Sequence, residues 1–251
     1  MNNEQHTPKS WFEKCSLIFY PAGIDYRGRL LVALGNVKGK RILELGCGNG
    51  KLTAILASKG ANILAIDISP IAVKETLKSC KEFIRKVDVQ QADANNLPHI
   101  TKSFDLVVGE FILHHLDCNK TVMGIYQVLK PDGRAIFIEP LAHNPLLNLW
   151  RKLTPGLRTP GEHPLSYANI REMRSCFNSI KYQEFGFLPL LNPLMFFNCS
   201  IKGGQKFLQR NIKIRSGKLL DKLDTPFLGL CKPLRRYSSA ILIEFIKEDI
   251  K

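Results

Sequence analysis

Arg41-Ile-Leu-Glu-Leu-Gly-Cys-Gly-Asn-Gly-Lys51 is the stretch on which the reading of this chain turns. Ile42 to Leu45 form a largely apolar run of strand length, broken at once by glycines at alternate positions, Gly46, Gly48 and Gly50. Helix-forming residues resume at Leu52 to Ala57. A strand feeding a glycine turn that opens a helix lets an α/β protein bring backbone N–H groups up to a bound nucleotide. Glycine is needed because the backbone takes left-handed conformations there and a Cβ would block the ligand's approach. The spacing is not the dinucleotide fingerprint G-x-G-x-x-G, whose last glycine would fall at Lys51. It is Glu44-x-Gly46-x-Gly48-x-Gly50.

On either side of this loop the pattern alternates. Strands are predicted at 41–45, 63–66, 87–91, 105–108 and 135–138, and helices at 51–58, 71–84 and 119–129. Such alternation predicts a parallel sheet with helices on both faces. Ser69-Pro70 supplies a cap residue and a proline at a first helical position. The strands end in telling places: the second at Asp67, about 20 residues on, where such folds carry a ribose-binding acid, and the third at Asp93-Ala94. Phe104-Asp-Leu-Val-Val108 is followed by Leu113-His-His-Leu-Asp117, and Val128-Leu-Lys-Pro-Asp-Gly-Arg134 runs into the next strand.

These five motifs, in this order over residues 40 to 140, resemble those of the class I S-adenosylmethionine-dependent methyltransferases, in the small-molecule (type 11, UbiE-like) branch. The resemblance implies a Rossmann-like fold: a seven-stranded, mostly parallel sheet whose antiparallel last strand lies between the fifth and sixth. It implies S-adenosyl-L-methionine as cofactor, with Gly46, Gly48 and Gly50 against its methionine and ribose portions. Glu44 would hold the cofactor's amino group or the loop itself. Asp67 would accept both ribose hydroxyls, since a carboxylate offers two acceptors. Asp93 and the Ala94 N–H would meet the adenine edge, and Gly109-Glu110-Phe111 would lie under the methyl sulfonium.

The sulfonium is already a strong electrophile, so positioning and exclusion of water supply most of the acceleration. A base is needed only where the accepting atom carries a proton of high pKa. Histidine suits that task near neutrality, and His163 and His114 are the catalytic candidates. His114, with His115, follows the fourth strand; the pair is also a common structural element of such enzymes. His163 lies in a proline-stiffened stretch, 141–166, with His143, Arg158 and Glu162. Pro145, Pro155, Pro160 and Pro164 make that stretch read as irregular. It either faces the substrate or ties turns to the core.

With 251 residues the chain is long enough for one large domain, 1–251, with a substantial core. Residues 1–39 read as an N-terminal helical cap, with helices at 10–20 and 26–34, and residues 40–140 as the cofactor-binding core. Further elements are predicted at 167–177 (helix), 180–187 and 240–246 (strands), leaving 189–236 as a helical insertion between strands six and seven. No 18-residue charge-free apolar run occurs and the start is polar, so a cytoplasmic location is expected. Seven scattered cysteines without a C-x-x-C pair argue against disulfides and structural zinc, and no metal is expected.

The net charge of +14 favours anionic partners. Much of it sits in 189–236, where ten Lys and Arg residues face only Asp221 and Asp224. Phe207, Leu208, Ile212, Ile214, Leu219, Leu220 and Leu223 are interleaved with the basic residues at roughly helical spacing. Such a segment serves as a lid over an apolar substrate or lies peripherally on an anionic membrane. The expected activity is methyl transfer to a small hydrophobic or lipid-linked acceptor, at oxygen. The alternative is an RNA methyltransferase, which the charge favours. Against it, the fourth strand is followed by Gly-Glu-Phe-Ile rather than an Asn-Pro-Pro-Tyr-type motif, and the basic residues alternate with aliphatics, not stacking aromatics.

Overall fold

Apolar runs without alternation build the centre of the sheet, because strands covered on both faces need no polar side. In the computed structural model, which describes residues 23–97, 103–155, 161–192 and 204–248, these runs are β1 (Arg41–Leu45), β2 (Asn62–Asp67), β4 (Phe104–Glu110) and β5 (Leu129–Pro140). Ile42, Leu43, Ala65, Ile66, Val107, Val108 and Ala135 to Ile138 are all fully buried. With β3 (Val87–Gln91), β6 (Ser179–Phe185) and β7 (Ala240–Ile246) they form one seven-stranded sheet in the order β3-β2-β1-β4-β5-β7-β6. The β1–β2, β1–β4, β2–β3 and β4–β5 pairs are parallel. β7 runs against β5: the Lys247 N–H donates to the Gly133 carbonyl (2.9 Å), whereas the Leu141 N–H donates to the Ser239 carbonyl (3.0 Å).

The helices follow their signals closely. α1 (Tyr26–Leu34) precedes the sheet, and α2 (Lys51–Ser58) begins directly at the last loop glycine. α3 (Pro70–Ser79) starts with proline in its first turn, and the Ser69 hydroxyl accepts the Ala72 N–H. It stops at Ser79 rather than the expected Ile84, where the Phe83 N–H folds back to the Cys80 carbonyl in a tighter turn. α4 (Cys118–Val128) is capped by the Asp117 carboxylate. The Pro131-Asp-Gly133 stretch interrupts the start of β5, where the pairing jumps from Phe104–Leu129 to Leu106–Arg134.

The stretch 141–166 is not irregular throughout. α5 (Pro145–Leu153) runs for more than two turns, its N-terminus capped by the Asn144 side chain. Pro145 opens the helix instead of breaking it, because the first helical residue has no intrahelical bond to lose. α6 (Tyr167–Met173) begins with a capping box from Ser166 and Asn169 and is shorter than expected. α7 (Gly204–Leu230) turns the basic insertion into one 27-residue helix with Pro226 inside it. The expected helix at 10–20, and Arg158 and Lys202, lie outside the described residues. So do the side chains of 204–214.

Within what the sequence reads as one domain, the chain divides into two compact units. One comprises Tyr26–Pro140, Glu162–Gln183 and Ile241–Lys251 and contains the motif-bearing core. The other gathers Met1–Asp25, Leu141–Gly161 and Glu184–Ala240. In this second unit the fully buried Asp224 of α7 accepts the N–H groups of Gly186 and Leu188, both at 2.7 Å. Two backbone donors, that of Gly186 buried, are thereby satisfied by one carboxylate. Among the described residues, no helix is long and apolar enough to cross a membrane.

Candidate active site

The C-terminal ends of β1, β2 and β4 bring the core's acidic residues together, the rim where α/β sheets place ligands. Gly46, Gly48 and Gly50 all have positive φ (69°, 56° and 74°). At Gly50 a Cβ would come within 2.8 Å of the Thr76 Cα, and at Gly46 within 2.8 Å of the Ile112 side chain. The loop is therefore packed tightly against α3 on one side and against Ile112 on the other. Asp67 holds its shape: Oδ2 accepts the Gly48 N–H (3.0 Å) and Oδ1 the Ser69 N–H (2.9 Å). Each oxygen retains a lone pair, so the same carboxylate can still accept ribose hydroxyls.

Glu44 is buried at 2% exposure, and its Oε2 has no hydrogen-bond partner. Burial pushes its carboxyl up to about 8, the Thr53 hydroxyl offsets part of that, and the nearby carboxylates of Glu110 and Asp67 add to it. A buried polar oxygen left unpaired at the foot of a glycine cradle costs stability unless a ligand completes it. The amino group of S-adenosylmethionine is a donor that would complete that oxygen. The cofactor would thus find Glu44 for its ammonium, the left-handed glycines for close backbone approach, and Asp67 for its ribose.

Other motif residues are placed more soberly. Asp93 is exposed, and its Oδ1 accepts both the backbone and side-chain N–H of Asn95. Asn95 in turn accepts the Asp117 N–H (2.8 Å), so this turn braces the start of α4. Ala94 is buried beside it. Glu110 is gripped by Arg27 of α1: the Arg27 Nε donates to both of its oxygens (2.8 and 3.1 Å), with a further contact from the guanidinium NH2. Nothing in the motif pattern announced that pairing. It places α1 over the end of β4, where Tyr26 also meets Phe111 edge-on at 5.3 Å. Phe111 itself has a φ of 57°, a conformation that a bulky residue adopts only under constraint.

The turn after β4 holds the histidines. Glu139, fully buried at the end of β5, accepts the N–H groups of Ile112 (2.9 Å), Leu113 (2.8 Å) and His114 (3.3 Å). Its Oε2 also meets the His114 Nδ1 at 2.7 Å. With both oxygens already committed as acceptors, the imidazole nitrogen is the donor, which leaves the His114 Nε2 lone pair for a proton or a metal ion. The His115 ring lies 4.0 Å from that of His114, and burial, reinforced by this neighbour, holds its pKa down to about 4. Sequence reasoning marked both histidines but missed the Glu139 partner, 25 residues away. A glutamate closing a buried strand was the available signal.

His163 contributes its backbone rather than its ring: its N–H donates to the His114 carbonyl (2.8 Å), and the side chain is exposed. Leu165 donates to the Pro140 carbonyl (2.9 Å). The segment between them is therefore clamped to the C-terminal rim of the sheet, and one donor atom each from His114, His115 and Glu162 lie within 4.8 Å of one another. His143 belongs to the other unit, where burial and Arg236 lower its pKa. A groove of about 600 Å³ opens elsewhere, at the N-terminal ends of β1 to β3, lined by Arg41, Asn62, Lys86 and Asp88 among others. No motif acid lines it.

Residues 43–137 match the family described as Methyltransferase domain. The chain is 31% identical over 118 residues to the demethylmenaquinone methyltransferase of Lactobacillus johnsonii, covering 44% of this chain and 48% of that protein. It is 34% identical over 101 residues to the ubiquinone biosynthesis O-methyltransferase of Aromatoleum aromaticum, covering 39% and 43%. The matched region thus spans about half the length of the curated relatives. In fold, the chain is similar to Haemonchus contortus phosphoethanolamine N-methyltransferase 2 in complex with S-adenosyl-L-methionine. That likeness has a TM-score of 0.67 and 19% identity, and covers 98% of this chain and 59% of that one. Strand order and glycine cradle agree with these matches, and residues 43–137 are a methyltransferase domain.

Proposed function

We propose that the protein transfers the methyl group of S-adenosylmethionine to an oxygen of a small, hydrophobic or lipid-linked acceptor, whose hydroxyl meets the His114–Glu139 pair. The observation that carries this is the coupling of the two half-sites. The Ile112 side chain packs against Gly46, and the Ile112 N–H anchors the carboxylate that orients His114. A polar, oriented imidazole next to the cofactor loop suits an acceptor whose proton must be managed. Relatives named for demethylmenaquinone and ubiquinone biosynthesis support an apolar, oxygen-bearing acceptor. His163, with its ring exposed, is the weaker of the two candidates.

The second unit supports a peripheral contact with anionic membrane. On α7, Leu219, Leu223 and Leu230 are 60%, 51% and 87% exposed, beside exposed Lys218 and Lys222. Such a mixture of exposed leucine and lysine suits an anionic interface better than bulk water. On this reading the protein is cytoplasmic and meets a lipid-linked acceptor at the membrane surface.

The test is a label-partition assay. Protein and methyl-tritiated S-adenosylmethionine are incubated with a cell extract, which is then split into organic, aqueous, RNA and protein fractions. Label in the organic fraction is expected. Label in RNA would overturn the reading and make the basic helix a nucleic-acid surface.

A further inference from the structure

We propose that His114, His115 and Glu162 form a binding site for one divalent first-row transition cation of the Zn2+ class, seated at the methyl-accepting rim. Two imidazoles and one carboxylate are a donor set that borderline cations prefer, and three protein ligands leave a position open for an exogenous oxygen. Cysteine spacing, the signal from which the sequence expects no metal, is blind to a site assembled from a His-His turn and a loop about 50 residues further on.

The geometry is close to what coordination needs. For three donor atoms no more than 4.8 Å apart, some point lies within about 2.8 Å of each, against Zn–N and Zn–O bonds of about 2.0–2.2 Å. Shifts of at most about 0.8 Å per ligand close that gap. The supporting contacts are already in place. The His114 Nδ1 is engaged by Glu139 at 2.7 Å, the carboxylate–histidine arrangement that fixes the tautomer and directs Nε2 to a metal. Glu162 is held by backbone bonds on its C-terminal side, from His163 to His114 and from Leu165 to Pro140.

This deepens the methyl-transfer reading and rests on it for its use, though not for its existence. The acceptor hydroxyl would take the open coordination position, where a cation makes its proton easier to lose to solvent. The oxygen then forms its bond to the methyl carbon while the C–S bond breaks, its electron pair going to sulfur and leaving S-adenosylhomocysteine.

The experiment uses tag-free, metal-stripped full-length protein titrated with Zn2+ against a chromophoric chelator, and with Co2+ followed by visible absorption. Wild type is expected to take up one Zn2+ per chain and to give Co2+ d–d bands of low-coordinate, nitrogen-containing character. Glu162→Gln and His115→Ala are each expected to weaken the affinity about tenfold or more, with folding checked by circular dichroism. Calorimetric binding of S-adenosylmethionine is measured on the same samples. Intact cofactor binding with no stoichiometric Zn2+ uptake, or with uptake indifferent to both substitutions, refutes the cation site alone. Site-dependent Zn2+ uptake by a protein that does not bind the cofactor upholds the cation site and refutes the methyl-transfer reading.

Discussion

Glu44 offers the sharpest test of how the cofactor is held. Its folded-state carboxyl is raised from 4.5 to about 8 because burial disfavours the charged form. At pH 6.5 an acid of pKa about 8 is about 97% protonated, so seating a cationic amino group against it must expel close to one proton. Calorimetric enthalpies of S-adenosylmethionine binding, measured in buffers of different ionisation enthalpy, should therefore vary with a slope near one proton released at pH 6.5. The slope should reverse sign at pH 9, where Glu44 is already ionised and the cofactor's α-amino group, of pKa about 8, must instead take up a proton to bind as the ammonium. By the same linkage, protonation of Glu44 at pH 6.5 should lower the affinity about 30-fold relative to the ionised carboxylate. Glu44→Gln should abolish the slope at pH 6.5. A buffer-independent enthalpy in wild type at pH 6.5 would refute the assignment and leave Glu44 as a neutral prop of the loop. The sign also fixes apo stability. Because the folded pKa exceeds the unfolded one, Glu44's contribution is full below pH 4.5 and is lost as the pH rises through about 8. The ligand-free protein should thus melt at lower temperature from pH 5 to 8, and Glu44→Gln should flatten that decline.

Three further outcomes follow from the geometry. Asp67→Ala should abolish measurable S-adenosylmethionine binding while leaving the far-ultraviolet circular dichroism unchanged; retained affinity would refute the ribose assignment. Since the same carboxylate accepts the Gly48 and Ser69 N–H groups, this variant should also lose about 1–3 kcal/mol of stability in urea unfolding. Gly50→Ala combines a φ of 74° with a Cβ 2.8 Å from the Thr76 Cα, and should destabilise the protein by roughly 1 kcal/mol or more in urea unfolding. The protein should co-sediment with anionic but not neutral vesicles, and changing the exposed Lys218 and Lys222 to Glu should weaken that binding; sedimentation indifferent to those changes would remove the membrane contact.

Sequence alone determined the sheet and the cofactor loop, because both depend on local chemistry. A largely apolar run of strand length that breaks into alternate glycines reads as a buried strand and a tight turn, and Ser69-Pro70 supplies the cap and first residue of a helix. The prolines of 141–166 misled for the same local reason: Pro145 breaks a helix only when residues precede it within one, and the Asn144 cap decides that it comes first. Tertiary structure decided what contacts across long separations decide. It put Glu139 under His114 and Arg27 on Glu110, and it left a Glu44 oxygen buried without a partner. It also brought Glu162 to the His114–His115 turn. Burial and pairing between residues 25 to 83 positions apart leave no periodicity in the chain, so the charge state of Glu44 and the partner of His114 exist only once the sheet has closed.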